Sequence, residues 1–315
     1  MNFANVKAMT IPEGNVKQIV DGQGIVIWKV QSGLSSMVKI NVTGKGSTAT
    51  QIISSSTSDM PNSSFNAFES IYYLNSNNEK VFVWQYGSTT YPRTIVFGDT
   101  NAHDVYFKLR DFNFSSMTSN IIGVAKGVPK WCFYGLTINS IEWSDDVIVF
   151  GDSAFRNSTI TGGLPKLPTN IQYIGSDCFA ITTSVKTPNF IFSSQLKYLG
   201  KYIVQAMTSA SRPNYVYFEG NIPNTGVDSW FNSYATFNNY YGSLVFGPNV
   251  TKMRDYIYSQ LRGALYFESI TPPALPTNKG TNYVTHIYVP TGCLSAYVSA
   301  FSGTFSSSII SEGSI

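Results

Sequence analysis

Charge is scarce in this sequence. Asp, Glu, Lys and Arg make up 12% of its 315 residues, about half the share usual for a soluble domain. The net charge of +3 comes from Lys and Arg scattered singly along the chain. Polynucleotide binding needs a concentrated positive face, so no nucleic-acid partner is expected. The three cysteines, Cys132, Cys178 and Cys293, lie far apart and form no CxxC or Cys/His pattern. That removes a recognisable metal site and, with an odd count, a disulfide framework. Free thiols are expected instead. No run approaches the ~18 continuous apolar residues of a membrane-spanning helix. The opening segment Met1–Val16 lacks the positive-then-apolar layout of a secretion signal. We therefore expect no membrane partner and no Sec-type export. P-loop, dinucleotide-binding and G-x-S-x-G motifs are absent, so no cofactor is expected.

What is plentiful is aromatic and turn-forming. Tyr (20) and Phe (21) dominate an aromatic share of 15%. Aromatic and β-branched residues fit a pleated surface, and Asn, Gly and Ser make turns. Runs of good helix formers are few. The expected class is mainly β, and the length suits two or three modules.

Residues 1–30 form a first module. Apolar runs from Val6 to Ile19 and from Ile25 to Trp28 flank Asp21-Gly22-Gln23-Gly24, a β-hairpin signal. Thirty residues cannot support a core alone, so this module should dock on something else. Residues 31–120 alternate short apolar runs (37–42, 71–74, 81–84, 94–97, 105–109) with polar turns. That pattern suggests a β-sandwich-like middle domain. From residue 121 to 315 a repeat takes over. Segments Val147–Phe155, Ile171–Phe179, Leu196–Val204 and Val250–Ile257 share the pattern apolar-x-x-apolar-Gly-x-x-small-aromatic or its relaxed form, with Arg254 at the last glycine position. The fourth template position falls at 150, 174, 199 and 253, giving steps of 24, 25 and 54. Strand-like runs such as Tyr215–Phe218, Leu244–Phe246 and Ala264–Phe267 lie between or after these segments. Stacked strands then predict a solenoid, since one repeat cannot bury its apolar face alone. The template glycine should take a positive φ or allow close packing between coils.

These segments resemble the BspA-like class of leucine-rich repeats, in which an I-x-x-I-G-x-x-A-F element precedes a short helix and a strand. The ending, with Pro272-Pro273, Ile287-Tyr288-Val289-Pro290 and Ala296-Tyr297, is similar to that class's closing segment. The resemblance spans roughly residues 140–305 and implies an irregular leucine-rich-repeat solenoid. A second resemblance covers the first 30 residues. Lys7 to Val16, with Ile11-Pro12-Glu13-Gly14, followed by Gly24 to Trp28, is similar to a short module of bacteriophage virion proteins, with Met9 where that pattern has Ile. It implies docking through Ile11, Pro12, Glu13, Val16 and Trp28 onto other virion proteins. Together the resemblances imply a structural virion protein, a fibre, tail or head appendage located in the virion and displaying its repeats to a host-surface glycan or protein. Phage fibres further imply a homo-oligomer, possibly a trimer. The alternative is a bacterial surface adhesin of the repeat class, and a third reading is a glycan-degrading enzyme.

Little catalytic chemistry is visible. His286 lies in a strand-like run and reads as a surface residue, while His103 lies in a turn beside Asp104 with nothing to complete a triad. Asp145-Asp146 is the one adjacent acid pair, but neighbours on a strand face opposite ways, and a solvated turn is the simpler account. Asp99, Asp104 and Asp111 lack calcium-loop spacing. We expect no enzyme. The best functional candidate is residues 228–241, which lengthen one repeat and mix aromatics with amides. Trp230, Phe231, Tyr234, Asn238, Tyr240 and Tyr241 would suit a glycan, with rings stacking on sugars and amides bonding hydroxyls. The competing account, in which the large rings simply pack inside, carries more weight because large aromatics are mostly buried anchors.

Overall fold

The structure is a computed structural model. It describes residues 18–20, 26–29, 35–116, 123–184, 188–204, 207, 211–221, 240–277 and 283–315, with the first two segments and Ser184 described by backbone alone. Met1–Ser35 and Ser36–Ile315 are two compact units. In the first unit, β1 (Gln18–Val20) pairs antiparallel with β2 (Val26–Lys29), and Ile19 stands opposite Trp28.

Strict alternation builds the first sheet of the second unit. In β3 (Met37–Thr43), Val38, Ile40 and Val42 are buried while Lys39 and Asn41 look outward. In β8 (Ala102–Leu109) the buried set is Val105, Phe107 and Leu109. These strands run antiparallel from Met37 opposite Lys108 to Thr43 opposite Ala102. β5 (Phe68–Leu74), β6 (Lys80–Gln85) and β13 (Ser140–Trp143) complete the order β13-β3-β8-β5-β6. Two small ladders accompany it: β4 (Thr50–Gln51) with β7 (Thr94–Ile95), and β9 (Phe112–Asn113) with β10 (Val124–Ala125). The run at 94–97 thus yields only a two-residue strand. It is followed by Gly98 at φ +86°, a turn conformation.

Among the described residues no second large sheet covers this one as a sandwich would require. Its apolar face meets the first coil of the solenoid instead. Phe107 packs edge-on against Phe133 at 5.2 Å, Ser54 N–H donates to the Cys132 carbonyl at 2.8 Å, and β13 belongs to that coil. One continuous core runs from Val38 to Ile310.

Among the described residues the coils carry three parallel ladders. The first joins β11 (Gly127–Val128), β14 (Val149–Phe150), β16 (Tyr173–Ile174) and β19 (Tyr198–Leu199). A second joins β12 (Thr137–Ile138), β15 (Thr159–Ile160) and β17 (Thr183–Ser184). The third has six strands, β18 (Phe190–Phe192), β20 (Tyr215–Phe218), β21 (Ser243–Phe246), β22 (Ala264–Phe267), β23 (His286–Val289) and β24 (Ile310–Glu312). Phenylalanines stack inside from coil to coil. Phe155 lies on Phe179 at 5.2 Å and 4°, Phe218 on Phe246 at 5.6 Å, and Phe246 on Phe267 at 5.1 Å. Burying each such ring contributes about 1.5–3 kcal/mol. The single α-helix among the described residues, α1 (Leu294–Phe301), closes the far end. Its Tyr297 and Phe301 both sit 5.4 Å from Phe267.

The template glycines serve close packing. Gly151, Gly175 and Gly200 have no positive φ. A Cβ on Gly175 would lie 2.4 Å from Asp152 N, and one on Gly200 would lie 2.3 Å from Ser176 N. The left-handed residue comes two positions later and is not glycine: Ser153 (φ +54°), Asp177 (+58°), Tyr202 (+56°) and Tyr256 (+58°). Tight turns therefore replace the short helix that the resemblance implies. Arg254, at the fourth glycine position, is buried and donates to the Leu199 carbonyl, and burial lowers its pKa to about 10.

Candidate binding face

Alternation also sorts the side chains of the six-stranded sheet. Val216, Phe218, Leu244, Phe246, Leu265, Phe267, Ile287 and Val289 are buried in the core. The opposite face carries a registered row: Ile191, Tyr217, Val245, Tyr266, Tyr288 and Ser311 stand side by side on successive strands. Such positions recur once per coil, so the stacking of coils turns single residues into a continuous surface.

The tyrosines of this row are held by their neighbours. Tyr266 and Tyr288 stack at 4.6 Å and 19°, and the His286 ring lies 5.9 Å from Tyr288. Tyr217 reaches across β21 and donates its hydroxyl to Glu268 Oε2 at 2.6 Å. It can do so because Gly247 stands beneath, where a Cβ would come within 2.7 Å of that hydroxyl oxygen. Gly313 gives Tyr288 the same room, at 2.8 Å from Cδ1. Burial, then the bond to Glu268, pushes the Tyr217 phenol up to about 12, so it stays a neutral donor. Burial also raises Tyr266. A cavity of about 190 Å³ opens among Val245, Tyr266, Glu268, Pro290 and Gly313. Flat rings beside a carboxylate can stack on an apolar ligand face and accept from its hydroxyl or amide groups.

Of the residues singled out in the sequence, Trp230, Phe231, Tyr234 and Asn238 lie outside the described residues, as do Ile11, Pro12, Glu13 and Val16. Trp28 is placed by backbone alone, in β2. Tyr240 is not a surface residue. It is 1% exposed, and its hydroxyl lies against Gly242 and donates to the Pro213 carbonyl at 2.8 Å. Tyr241 is exposed, with the Arg212 and Arg262 guanidiniums 5.2 and 5.8 Å from its ring.

The remaining chemistry-bearing groups serve the fold. Asp146 accepts from the Ser36 N–H at 3.1 Å and from the Ser36 and Ser144 hydroxyls. Burial opposes its charge, but those bonds and Lys126 at 4.0 Å prevail and hold its pKa down. Asp145 accepts from Thr169 N–H at 3.3 Å, so the two carboxylates have separate partners. They lie in a turn, as the sequence suggests. His103 Nε2 is 2.7 Å from Asp99 Oδ1, and its ring stacks on Phe97 at 4.0 Å. The His103 bond, then the Asn101 N–H, lowers the Asp99 pKa. Asp104 pairs with Lys39 and accepts from Asn41. His286 is exposed. All three cysteines are free, with Cys132 and Cys178 buried and Cys293 half-buried. Among the described residues no group of three or more His, Cys, Asp or Glu could hold a metal ion.

The fold defined by these coils is a β-solenoid of repeats. Residues 126–264 match the BspA type leucine rich repeat region in six copies. No curated protein and no solved structure matches the chain.

Proposed function

We propose that this chain is an adhesin-type binding protein that holds a cell-surface glycan or protein on the outward face of its six-stranded sheet, without chemical turnover. One observation carries the reading: Tyr217, Tyr266 and Tyr288 form a registered, outward row beside Glu268. Interface hot spots are enriched in Tyr, and the rest of such a surface mainly excludes water. The repeat match supports a bacterial surface adhesin at least as well as a phage appendage. The virion reading rests on the resemblance of the first 30 residues alone. Docking through that module and assembly as a homo-oligomer belong to that reading.

The test is a binding screen of the full chain against arrays of surface glycans and cell-surface proteins, repeated with the Tyr266→Ala/Tyr288→Ala double variant. Each truncated anchor should weaken binding by roughly 1–2 kcal/mol, or about thirtyfold for the pair at least. The melting temperature should hold, because both rings face outward. Unchanged binding would refute the site, and release of sugar fragments would favour the hydrolase reading.

A further inference from the structure

The first coil meets the antiparallel sheet along a seam, and the seam encloses a polar cavity. β3 ends at Thr43, and the chain turns back through Lys45 and Gly46 to enter β4 at Thr50. Backbone bonds fix that turn. Thr48 N–H donates to the Lys45 carbonyl at 3.1 Å, and Gly46 N–H donates to the Asp99 carbonyl at 2.7 Å. Gly44 permits the approach, since a Cβ there would lie 2.4 Å from the Asp99 carbonyl oxygen. Across the seam, Asn139 clamps the coil to the sheet. Its N–H donates to the Asn41 carbonyl at 2.7 Å, and its Nδ2 donates to Asn41 Oδ1 and Thr43 Oγ1, each at 2.9 Å. Between these walls lies a cavity of about 210 Å³, whose lining includes Thr43, Lys45, Gln51, Leu136, Thr137 and Asn139. It has room for roughly seven waters at liquid density, or for one sugar ring.

Three side chains bring unused polar groups to this lining. Lys45 is its one charged residue, is exposed, and forms no ion pair among the described residues. Asp99 beside the turn is engaged elsewhere, with the Asn101 N–H at 2.9 Å and His103 at 2.7 Å. Gln51 Nε2 donates to the Ile53 carbonyl at 3.1 Å, which leaves Oε1 as an acceptor. Thr137 is exposed on β12 where its neighbour Ile138 is buried, and its hydroxyl has no partner among the described residues.

We propose that this cavity is a subsite for a single uronic-acid residue, with the sugar carboxylate on Lys45 and ring hydroxyls on Gln51 and Thr137. The site is separate from the tyrosine face and goes beyond the reading given to that face. A lone ammonium matches one carboxylate, and the charge makes that hydrogen bond the strong one. Threonine hydroxyls both donate and accept, and the free Gln51 Oε1 needs a donor. Sugar hydroxyls meet both demands, whereas phosphate oxygens chiefly accept. One cation is too few for a polynucleotide, whose binding neutralises many phosphates. The fixed turn and the Asn139 clamp hold the cavity open before a ligand arrives, which lowers the cost of binding.

The experiment titrates the full chain with methyl glucuronide, with methyl glucoside and with inorganic phosphate, followed by ligand-observed NMR. The two sugars differ only where a carboxylate replaces a hydroxymethyl group. The glucuronide should bind about fivefold more tightly, since charge-assisted hydrogen bonds are about twice as strong as neutral ones. Lys45→Met should abolish that preference at an unchanged melting temperature, because the side chain is exposed, and Lys45→Arg should retain it. Thr137→Val should weaken both sugars. Equal binding of the two sugars overturns the proposal, as does a preference that survives Lys45→Met or a failure of the glucuronide to saturate. Phosphate binding as tightly as the glucuronide overturns the sugar class and leaves a general anion site. Tyr266→Ala/Tyr288→Ala should leave glucuronide binding unchanged. A fall in that variant would move the sugar to the tyrosine face and overturn this cavity, while the adhesin reading would stand.

Discussion

Replacing Gly175 with alanine tests what the template glycine is for. The added Cβ would lie 2.4 Å from Asp152 N and 2.6 Å from the Gly151 carbonyl carbon. Both are backbone atoms of the preceding coil and cannot swing aside. The coils must separate, which strains Gly175 N–H to Phe150 O at 2.8 Å and Ser176 N–H to Asp152 Oδ1 at 2.8 Å. Overpacking costs about 1–3 kcal/mol, and a weakened hydrogen bond adds about 0.5–1.5. We expect a loss of about 2–4 kcal/mol and a melting temperature lower by roughly 4–16 °C. Ser153→Gly is the matched control. Ser153 holds φ +54°, so glycine relieves a left-handed cost of about 1–2 kcal/mol and gives back about 0.4–1 through the unfolded chain. Its net effect should stay within about 1 kcal/mol. Urea unfolding followed by circular dichroism reads both. The reasoning fails if Gly175→Ala is near neutral while Ser153→Gly costs more than about 2 kcal/mol, because the glycine would then serve backbone conformation rather than contact between coils.

Two further outcomes follow from buried groups. Burial raises the Asp152 carboxyl above its ordinary 3.8, against the Ser176 N–H bond. The folded state thus holds this proton more tightly than the unfolded chain, and stability falls as pH rises from 3.8 through the raised value. Asp152→Asn keeps an acceptor for Ser176 and should match the parent at about pH 3.5 and exceed it at about pH 7, read from denaturation midpoints; a less stable variant at the higher pH contradicts this. Burial also pushes the Cys132 and Cys178 thiols well up, whereas Cys293 is half-buried. A thiol reagent should label Cys293 alone in the native protein and all three cysteines in denaturant, and native labelling of Cys132 or Cys178 would show that the core opens.

The repeat itself was legible in the sequence because coil stacking is a periodic demand. Val147–Phe155 and Ile171–Phe179 fall on neighbouring coils with Phe150 opposite Ile174, and the apolar runs at 215–218, 264–267 and 286–289 are strands. What stayed hidden was non-local. That Ser140–Trp143 of the first coil pairs antiparallel with Met37–Thr43 depends on residues about a hundred positions away. The left-handed turn residues were not legible because Ser and Tyr carry no mark of a positive φ, and aspartate, which is enriched there, stands at only one of the four positions. The binding face was partly readable. Tyr217, Tyr266 and Tyr288 alternate with core residues in their own strands, and reading each strand with period two would have set them outward. In residues 228–241 the density of rings is plain in the sequence but their direction is not: Tyr240 is buried packing and Tyr241 is exposed.

Both ends of the coil stack are covered, one by the antiparallel sheet through Phe107 and Phe133 and the other by α1 through Tyr297 and Phe301. A stack sealed in this way cannot lengthen at its tips, since a new terminal coil would have to displace its cover. It can gain or lose coils only in the interior, where each coil needs only neighbours like itself. Variation in the reach of the tyrosine face among descendants of this chain should therefore arise by duplication or deletion of whole central coils, with the two covers inherited intact.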